Sequence, residues 1–595
     1  MNILHNHVGF RPEAHKLMIV QTAGDQTQSS DLTADLVSLD DLKIKITLKP
    51  IWTGTIKGWK NRVFYQFDFS DFSDCGTYRF HVRDADETTI GAPFRISPHV
   101  IDSDMISDVI FYFKGQRSTG RWDETDRSVP FYGSRKDLVD VHGGWFDASG
   151  DYSKYLSHLS YTNYLNPQQI PLTVWVLLQL GQTLASFPKH GNTLLVERSF
   201  EEAWWGADFL MRMQDREGYF YMTVFDKWNK KSEERMISAF MTQQGIRLEN
   251  YQAGFRQGGG MAVAALARAA RIKRNNIPAD GYEPQQFLVA ADKGYRHLVH
   301  HNLEYLDNGK ENIIDCYCAL IASVELFRTT SDGWYLDESR RWAIALSTHF
   351  DAKIRGWVVE PGGNRPYYHA SDSGLVILSL LHYFSIEPNA ELRATIAKLI
   401  IIALKAELDR ANAVMNPFRL SRQIVQDSIS KEIRESFFVP HNNESGYWWQ
   451  GENARISSMT SMFRIVNASI NDLYLAIDGD TCKDSLPDYN NLSIQLLSFA
   501  DAHQDWILGC NPYDMCMLQG HGRNNPRYDV NGPNAPGGIC NGITGGYEDE
   551  LDIDFLPAVL EGRSDHRWRW SEQWIPHATW FVLGLVSAMG NITLE

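Results

Sequence analysis

Three carboxylates stand out by their neighbours. Asp147 and Asp151 lie four residues apart in GGWFDASGDYSKY (143–155), with small residues between them and Trp145, Phe146, Tyr152 and Tyr155 around them. Two close acids in an aromatic setting can hold and deprotonate a water for attack on a sugar carbon. The same pattern also suits one Asp capping a helix beside a solvated one. Glu572 sits between Trp570 and Trp574 in DHRWRWSEQWIPHATW (565–580), a run with few other acids. A carboxyl held against indole rings is desolvated, which raises its pKa and lets it stay protonated as an acid. An exposed Glu at a helix start is the plainer alternative. A third group, His521, Arg523, Asn524 and Asn525 in LQGHGRNNPRY (518–528), could line a polyol pocket or simply build a loop.

Other chemistries find no support. The chain has no GxxxxGK[ST] phosphate loop, no HExxH metal motif and no GxSxG elbow. Its net charge of −16 argues against a nucleic-acid partner. The seven cysteines (Cys75, Cys316, Cys318, Cys482, Cys510, Cys516, Cys540) are odd in number and form no CxxC pair. Reduced thiols in a cytoplasmic setting are therefore expected, rather than a disulfide framework or structural zinc. The opening MNILHNHVGFRP lacks the basic and apolar run of a secretory leader, and no apolar stretch is long enough to span a bilayer. No cofactor and no metal-ligand set are expected.

The elements that must position these residues fall into two groups. LKIKITL (42–48), VFYQFDF (63–69) and TYRFHV (77–82) alternate apolar and polar residues with turn residues between them, as half-buried strands do. Several short strands within about 100 residues suggest a small sandwich. Ser97-Pro98 is a natural boundary, since proline disfavours helix in the residue before it. From about Ile101 the period changes. Residues 173–185, 201–214, 258–271, 315–328, 373–383 and 390–406 repeat apolar residues every three and four positions, as amphipathic helices do, with no strand series between them. Several are apolar around most of their circumference, which a double ring of helices would explain. The long connections 118–141, 417–457 and 511–567, rich in Gly, Asn, Pro and aromatics, are the expected site carriers.

With these residues in place, the sequence resembles glycoside hydrolase family 9. Members carry a GGWxDAGDxxKY-like segment early in the catalytic domain and an NE segment near its end, and GGWFDASGDYSKY and WSEQWIPHAT occupy those places in that order. Gln116-Arg117, WGADFLMRMQ (205–214), WQGEN (449–453) and DWILGCNPYD (505–514) extend the likeness. HNHVGFRPEAHKLMIV resembles the start of the immunoglobulin-like module that precedes many such domains. The resemblance implies an immunoglobulin-like β-sandwich over 1–98 and an (α/α)6 barrel over 99–595. It also implies an inverting mechanism in which one carboxylate activates water and a carboxylic acid protonates the leaving oxygen. By position Glu572 matches the acid, Asp151 the base and Asp147 its partner. Candidate sugar contacts are Trp145, Tyr152, Trp449, His521, Arg523 and Trp570.

Two departures bear on the substrate. DASGD spaces its acids one residue wider than the family's usual DAGD, which leaves open how Asp147 and Asp151 divide their labour. GHGRNNPRYD replaces the PHHR-like segment of the family's cellulases. Both resemble the exo-β-D-glucosaminidase branch, which acts on chitosan oligosaccharides. A glucosamine ammonium would be favoured by an extra carboxylate, either Asp147 or Asp151 or an acid from YEDELDID (547–554). The alternatives are a β-glucosidase or endoglucanase-type hydrolase of β-1,4-glucans, and a non-catalytic sugar-binding protein.

Overall fold

The computed structural model describes residues 1–24, 32–85, 87–100, 103–187, 193–446, 451–477, 486–528 and 534–589. Nine strands come first: β1 Asn2–Leu4, β2 Leu17–Ala23, β3 Thr33–Ser38, β4 Ile44–Leu48, β5 Trp52–Gly54, β6 Arg62–Asp68, β7 Gly76–Asp84, β8 Glu87–Ile90 and β9 Phe94–Ile96. They form two sheets, β1-β2-β6-β5 and β4-β3-β7-β8, with β9 also paired to β7. The period-two pattern decides the two faces of β6. Val63, Tyr65 and Phe67 point into the sandwich core with Met18, Val20 and Phe80. Phe64 points the other way, into the large core, with Ile19 and Trp59. There Trp59 packs on Phe418, Phe437 and Trp506 at centroid distances of 6.0, 5.6 and 6.2 Å. The first sheet is thus buried on both faces, one of them against the helical region. The alternation in 42–48 marks only an edge strand, with Ile44 54% exposed.

Among the described residues, twelve helices of ten residues or more build the large region: α1 Ser103–Gly115, α2 Ile170–Ala185, α3 Thr193–Arg212, α4 Gly260–Arg271, α5 Pro284–Tyr305, α6 Ile313–Thr330, α7 Gly333–Ser347, α8 Leu375–Phe384, α9 Ala390–Asn412, α10 Asn453–Ala468, α11 Tyr489–Ile507 and α12 Ile575–Ser587. Helices α2, α4, α6, α8, α10 and α12 contact one another in a closed ring, and α3, α5, α7, α9, α11 and α1 pack outside it. The inner helices are the sequences apolar on all sides. In α8 (LVILSLLHYF) every residue is buried, whereas in α7 only five of fifteen are. This is the expected double ring. None of the described helices is long and apolar enough to cross a membrane.

One expectation needs correction. Strands do interrupt the helical series, because two long connections fold into hairpins. Thr223–Phe225, Met236–Met241 and Ile246–Leu248 form an antiparallel sheet with Lys154–Tyr155. Gln423–Gln426 pairs with Ile433–Ser436. These strands are only two to six residues long, too short for a period-two alternation to stand out.

The inner helices all begin at one end of the barrel, and hydrogen bonds tie their starts together. Gln168, before α2, donates its N–H to Asp372, before α8, at 2.8 Å, and its side chain to the carbonyl of Arg256, before α4, at 2.7 Å. Arg256 in turn pairs with Asp315 in the first turn of α6 at 3.1 Å. Free N–H groups and positive helix ends therefore collect at this face, an environment that favours carboxylates.

Candidate active site

The two acidic segments meet at this face although more than 400 residues separate them. Ala148 pairs with Trp574 as an antiparallel bridge. Ser149 N–H donates to Gln573 O (2.9 Å), Ile575 N–H to Asp147 O (3.1 Å) and Gln573 N–H to Ser149 Oγ (3.0 Å). Gly150 lies against the carboxyl of Glu572. A Cβ there would stand 2.8 Å from Glu572 Oε1 and 2.9 Å from the Tyr528 hydroxyl, so one of these side-chain ends would have to shift to admit it.

Asp147, Asp151 and Glu572 together line a cavity of about 490 Å³. His158, Tyr161, Trp228, Phe240 and Gln243 also line it, as do Tyr528, Asp565, His566, Trp568 and Arg569 from the C-terminal part of the chain. Concave sites with aromatic walls and a few convergent polar groups suit a sugar.

The carboxyls differ in their partners. Asp147 accepts from the Trp574 indole at 3.1 and 3.0 Å, from His158 Nδ1 at 3.2 Å and from Gln169 Nε2. Trp574 and Gln169 are the residues just before α12 and α2, so the helix starts themselves aim these donors. Asp151 accepts from Ser153 N–H at 2.8 Å on Oδ1, and from Tyr155 Oη at 2.8 Å and Trp228 Nε1 at 3.0 Å on Oδ2. Burial, then the charges of Asp147 and Asp226, push Asp151 up to about 7. Glu572 faces the cavity. Its removal from bulk water, then Asp151 and Asp147, push its carboxyl well above the ordinary range, with Lys230 and the Tyr528 hydroxyl acting against the shift. No lysine or arginine pairs directly with any of the three among the described residues, so no close cation offsets the like charges that help raise Asp151 and Glu572. Chemically, the site can keep one carboxyl protonated while another carboxylate holds water.

Several expected sugar contacts lie elsewhere. Trp145 is fully buried against α3, its indole 3.3 Å from Glu202 and its ring against Gly206. Trp570 is also fully buried and donates to Thr544 Oγ1 at 3.0 Å. Tyr152 does not line the cavity; it stacks on Trp122 at 5.0 Å. His521 bonds Asp108 on α1 at 3.0 Å. Arg523 pairs with Asp514 at 2.6 Å, and its backbone N–H donates to His7 of the sandwich at 3.2 Å. The 518–528 stretch is thus mainly a joint between regions, and it gives the cavity only Tyr528. Trp449 lies outside the described residues. Of the acids of 547–554, Asp549 meets Lys60 at 2.6 Å and Asp552 meets Arg62 at 3.2 Å on the sandwich, whereas Glu550 pairs with Arg434, and none lines the cavity. Trp228, His158, Gln169 and Phe240 were missed. No local pattern marks them, since the chain path alone brings Trp228, His158 and Phe240 to the cavity and Gln169 to Asp147.

The family model for glycosyl hydrolase family 9 matches residues 103–530, well over half of the chain. The chain belongs to glycosyl hydrolase family 9. It is a glycosidase enzyme with the helical barrel of that family. Glu572 lies beyond the matched residues, so its place rests on the geometry above. A metagenome-derived glycoside hydrolase family 9 endoglucanase superposes with a TM-score of 0.62 at 17% identity, covering 99% of this chain and 98% of its own. The family 9 endoglucanase J30 gives 0.62 at 18% identity, covering 98% of this chain and 100% of its own. At such identities these likenesses speak for the fold. No relative matches among curated proteins.

Proposed function

We propose that this family 9 enzyme hydrolyses β-1,4-linked oligosaccharides of glucose-configured sugars with inversion, using Glu572 as general acid, Asp151 as general base and Asp147 to hold the base and water in register. The observation that carries this reading is the gathering of three carboxyls in one cavity with unequal partners. Asp147 has four accepted bonds, whereas Asp151 has three and so keeps a position on Oδ1 for a water. That water attacks the anomeric carbon as Asp151 takes its proton. The glycosidic bond breaks on the other face, and the proton of Glu572 passes to the leaving oxygen. The product sugar carries the opposite anomeric configuration.

For the sugar itself, a β-1,4-glucan stands first, because the solved neighbours are described as endoglucanases. A second reading, exo-cleavage of β-glucosaminides, rests on a specific feature. Asp147 is a carboxylate whose bonds come from an indole, an amide and one histidine, with no lysine or arginine among these partners. A C2 ammonium would supply the missing countercharge. Initial rates on cellobiose, the chitosan disaccharide and its N-acetylated form separate the readings, with the product anomer followed by NMR. Faster turnover of cellobiose supports the glucan. Selective turnover of the chitosan sugar supports the glucosaminide. Retention of configuration would overturn the mechanism, and no turnover of any would leave a sugar-binding protein.

A further inference from the structure

The hairpin sheet beside the cavity carries a turn whose backbone is unusual. Lys227, Trp228 and Lys230 have φ of 65°, 57° and 61°, a region that side chains other than glycine and asparagine rarely enter. Buried Asp226 holds the turn, accepting from Trp228 N–H at 2.9 Å, Lys230 N–H at 3.1 Å and Ser153 Oγ at 2.7 Å. Ser153 also gives its N–H to Asp151 Oδ1 at 2.8 Å, so the turn and the carboxylate share one anchor. The result is to place the Trp228 indole in the cavity wall, with Phe225 and Phe240 edge-on at 5.1 and 5.5 Å. Its Nε1 stands 3.0 Å from Asp151 Oδ2 and 2.9 Å from Tyr155 Oη. Unusual backbone held in place by its surroundings is a common mark of a working site.

We propose that Trp228 is a positioning residue for Asp151: its indole N–H, shared with Tyr155 Oη, fixes Oδ2 and leaves Oδ1 for the attacking water. This rests on Asp151 being the base. The titratable groups that face Asp151 are Asp147, Asp226, Glu572, His158 and Tyr155, with Lys230 acting on Glu572. None is a lysine or arginine in contact with Asp151, so neutral donors carry much of the stabilisation of its charged form. Removing the indole N–H therefore makes Asp151 hold its proton more tightly.

The test is the pH profile of kcat/KM for Trp228→Phe, which keeps a ring against Phe225 and Phe240 and deletes the donor. The acid limb should move up by about one pH unit, with activity below the limb falling about tenfold, while KM changes little. Trp228→His, which keeps a ring N–H, should lie closer to the parent. Tyr155→Phe should move the limb the same way. Trp228 is partly exposed, and thermal unfolding of each variant checks the fold. Asp151→Asn is the reference. If it is inactive and the Trp228→Phe limb stays in place, the proposal is wrong. If Asp151→Asn keeps its activity, the assignment of the base itself has failed.

Discussion

Two clusters of buried charge lie three residues apart in the chain and behave in opposite ways. Lys154 meets Asp126 at 2.7 Å, and Arg235 meets the same carboxylate at 2.6 Å, with all three side chains fully buried. Lys154 also donates to Val141 O and Gly143 O at 2.7 and 2.8 Å, and Arg235 to Tyr152 O at 2.7 Å. Burial alone would raise Asp126, but Lys154 and Arg235 outweigh it and hold the carboxyl low. Asp151 has no such cation and rises to about 7. The first cluster fixes the backbone of 152–154, and the second spends that rigidity on chemistry. Buried charge with its partner is structure, whereas buried like charge without one is a candidate for catalysis.

The comparison can be broken most directly at Glu572. Glu572→Gln should lower kcat by about 10²–10⁴-fold on disaccharides, and less on aryl glycosides whose leaving groups need no proton. Its melting temperature should hold, since the amide replaces a carboxyl of the same shape that burial keeps protonated. Equal loss on both substrate types would argue against an acid. Asp126→Asn should do the reverse. It strands two buried cations and should cost about 3–5 kcal/mol in denaturant unfolding, with the remaining folded enzyme still active.

Stability against pH sharpens the contrast. Asp151 has a raised folded pKa, so its contribution is fully present below the unfolded value of about 4 and is lost as pH rises to about 7, on the order of a few kcal/mol. Asp126 has a lowered folded pKa, so its contribution is present above that unfolded value and is lost as pH falls through the folded one. Unfolding curves of Asp151→Asn should show a shallower decline between pH 4 and 7, the remainder coming from Glu572 and other carboxyls raised by burial. An unchanged decline would place its source elsewhere. The smallest effect is expected at Gly150→Ala, where the added methyl must displace Glu572 or Tyr528. A fall in kcat without a large change in melting temperature would fit; no change in kcat would show that the carboxyl can shift freely.

Much of this was readable without coordinates. Alternation gave the faces of β6, and all-round apolarity gave the inner helices, because both depend on periodicity within a single element. The three carboxylates were legible from their neighbours and order. The sugar contacts were not. Trp145 and Trp570 look as available in sequence as Trp574, yet the first two turn into the wall and the third reaches Asp147 across 427 residues. Trp228 carries no local mark, and only the hairpin that sequence periodicity concealed brings it 3.0 Å from Asp151. Sequence determined which elements form and which acids are present, because those follow from neighbours along the chain. Tertiary structure decided which side chains share the cavity and how each carboxyl is partnered, because those depend on where distant loops converge at the helix starts.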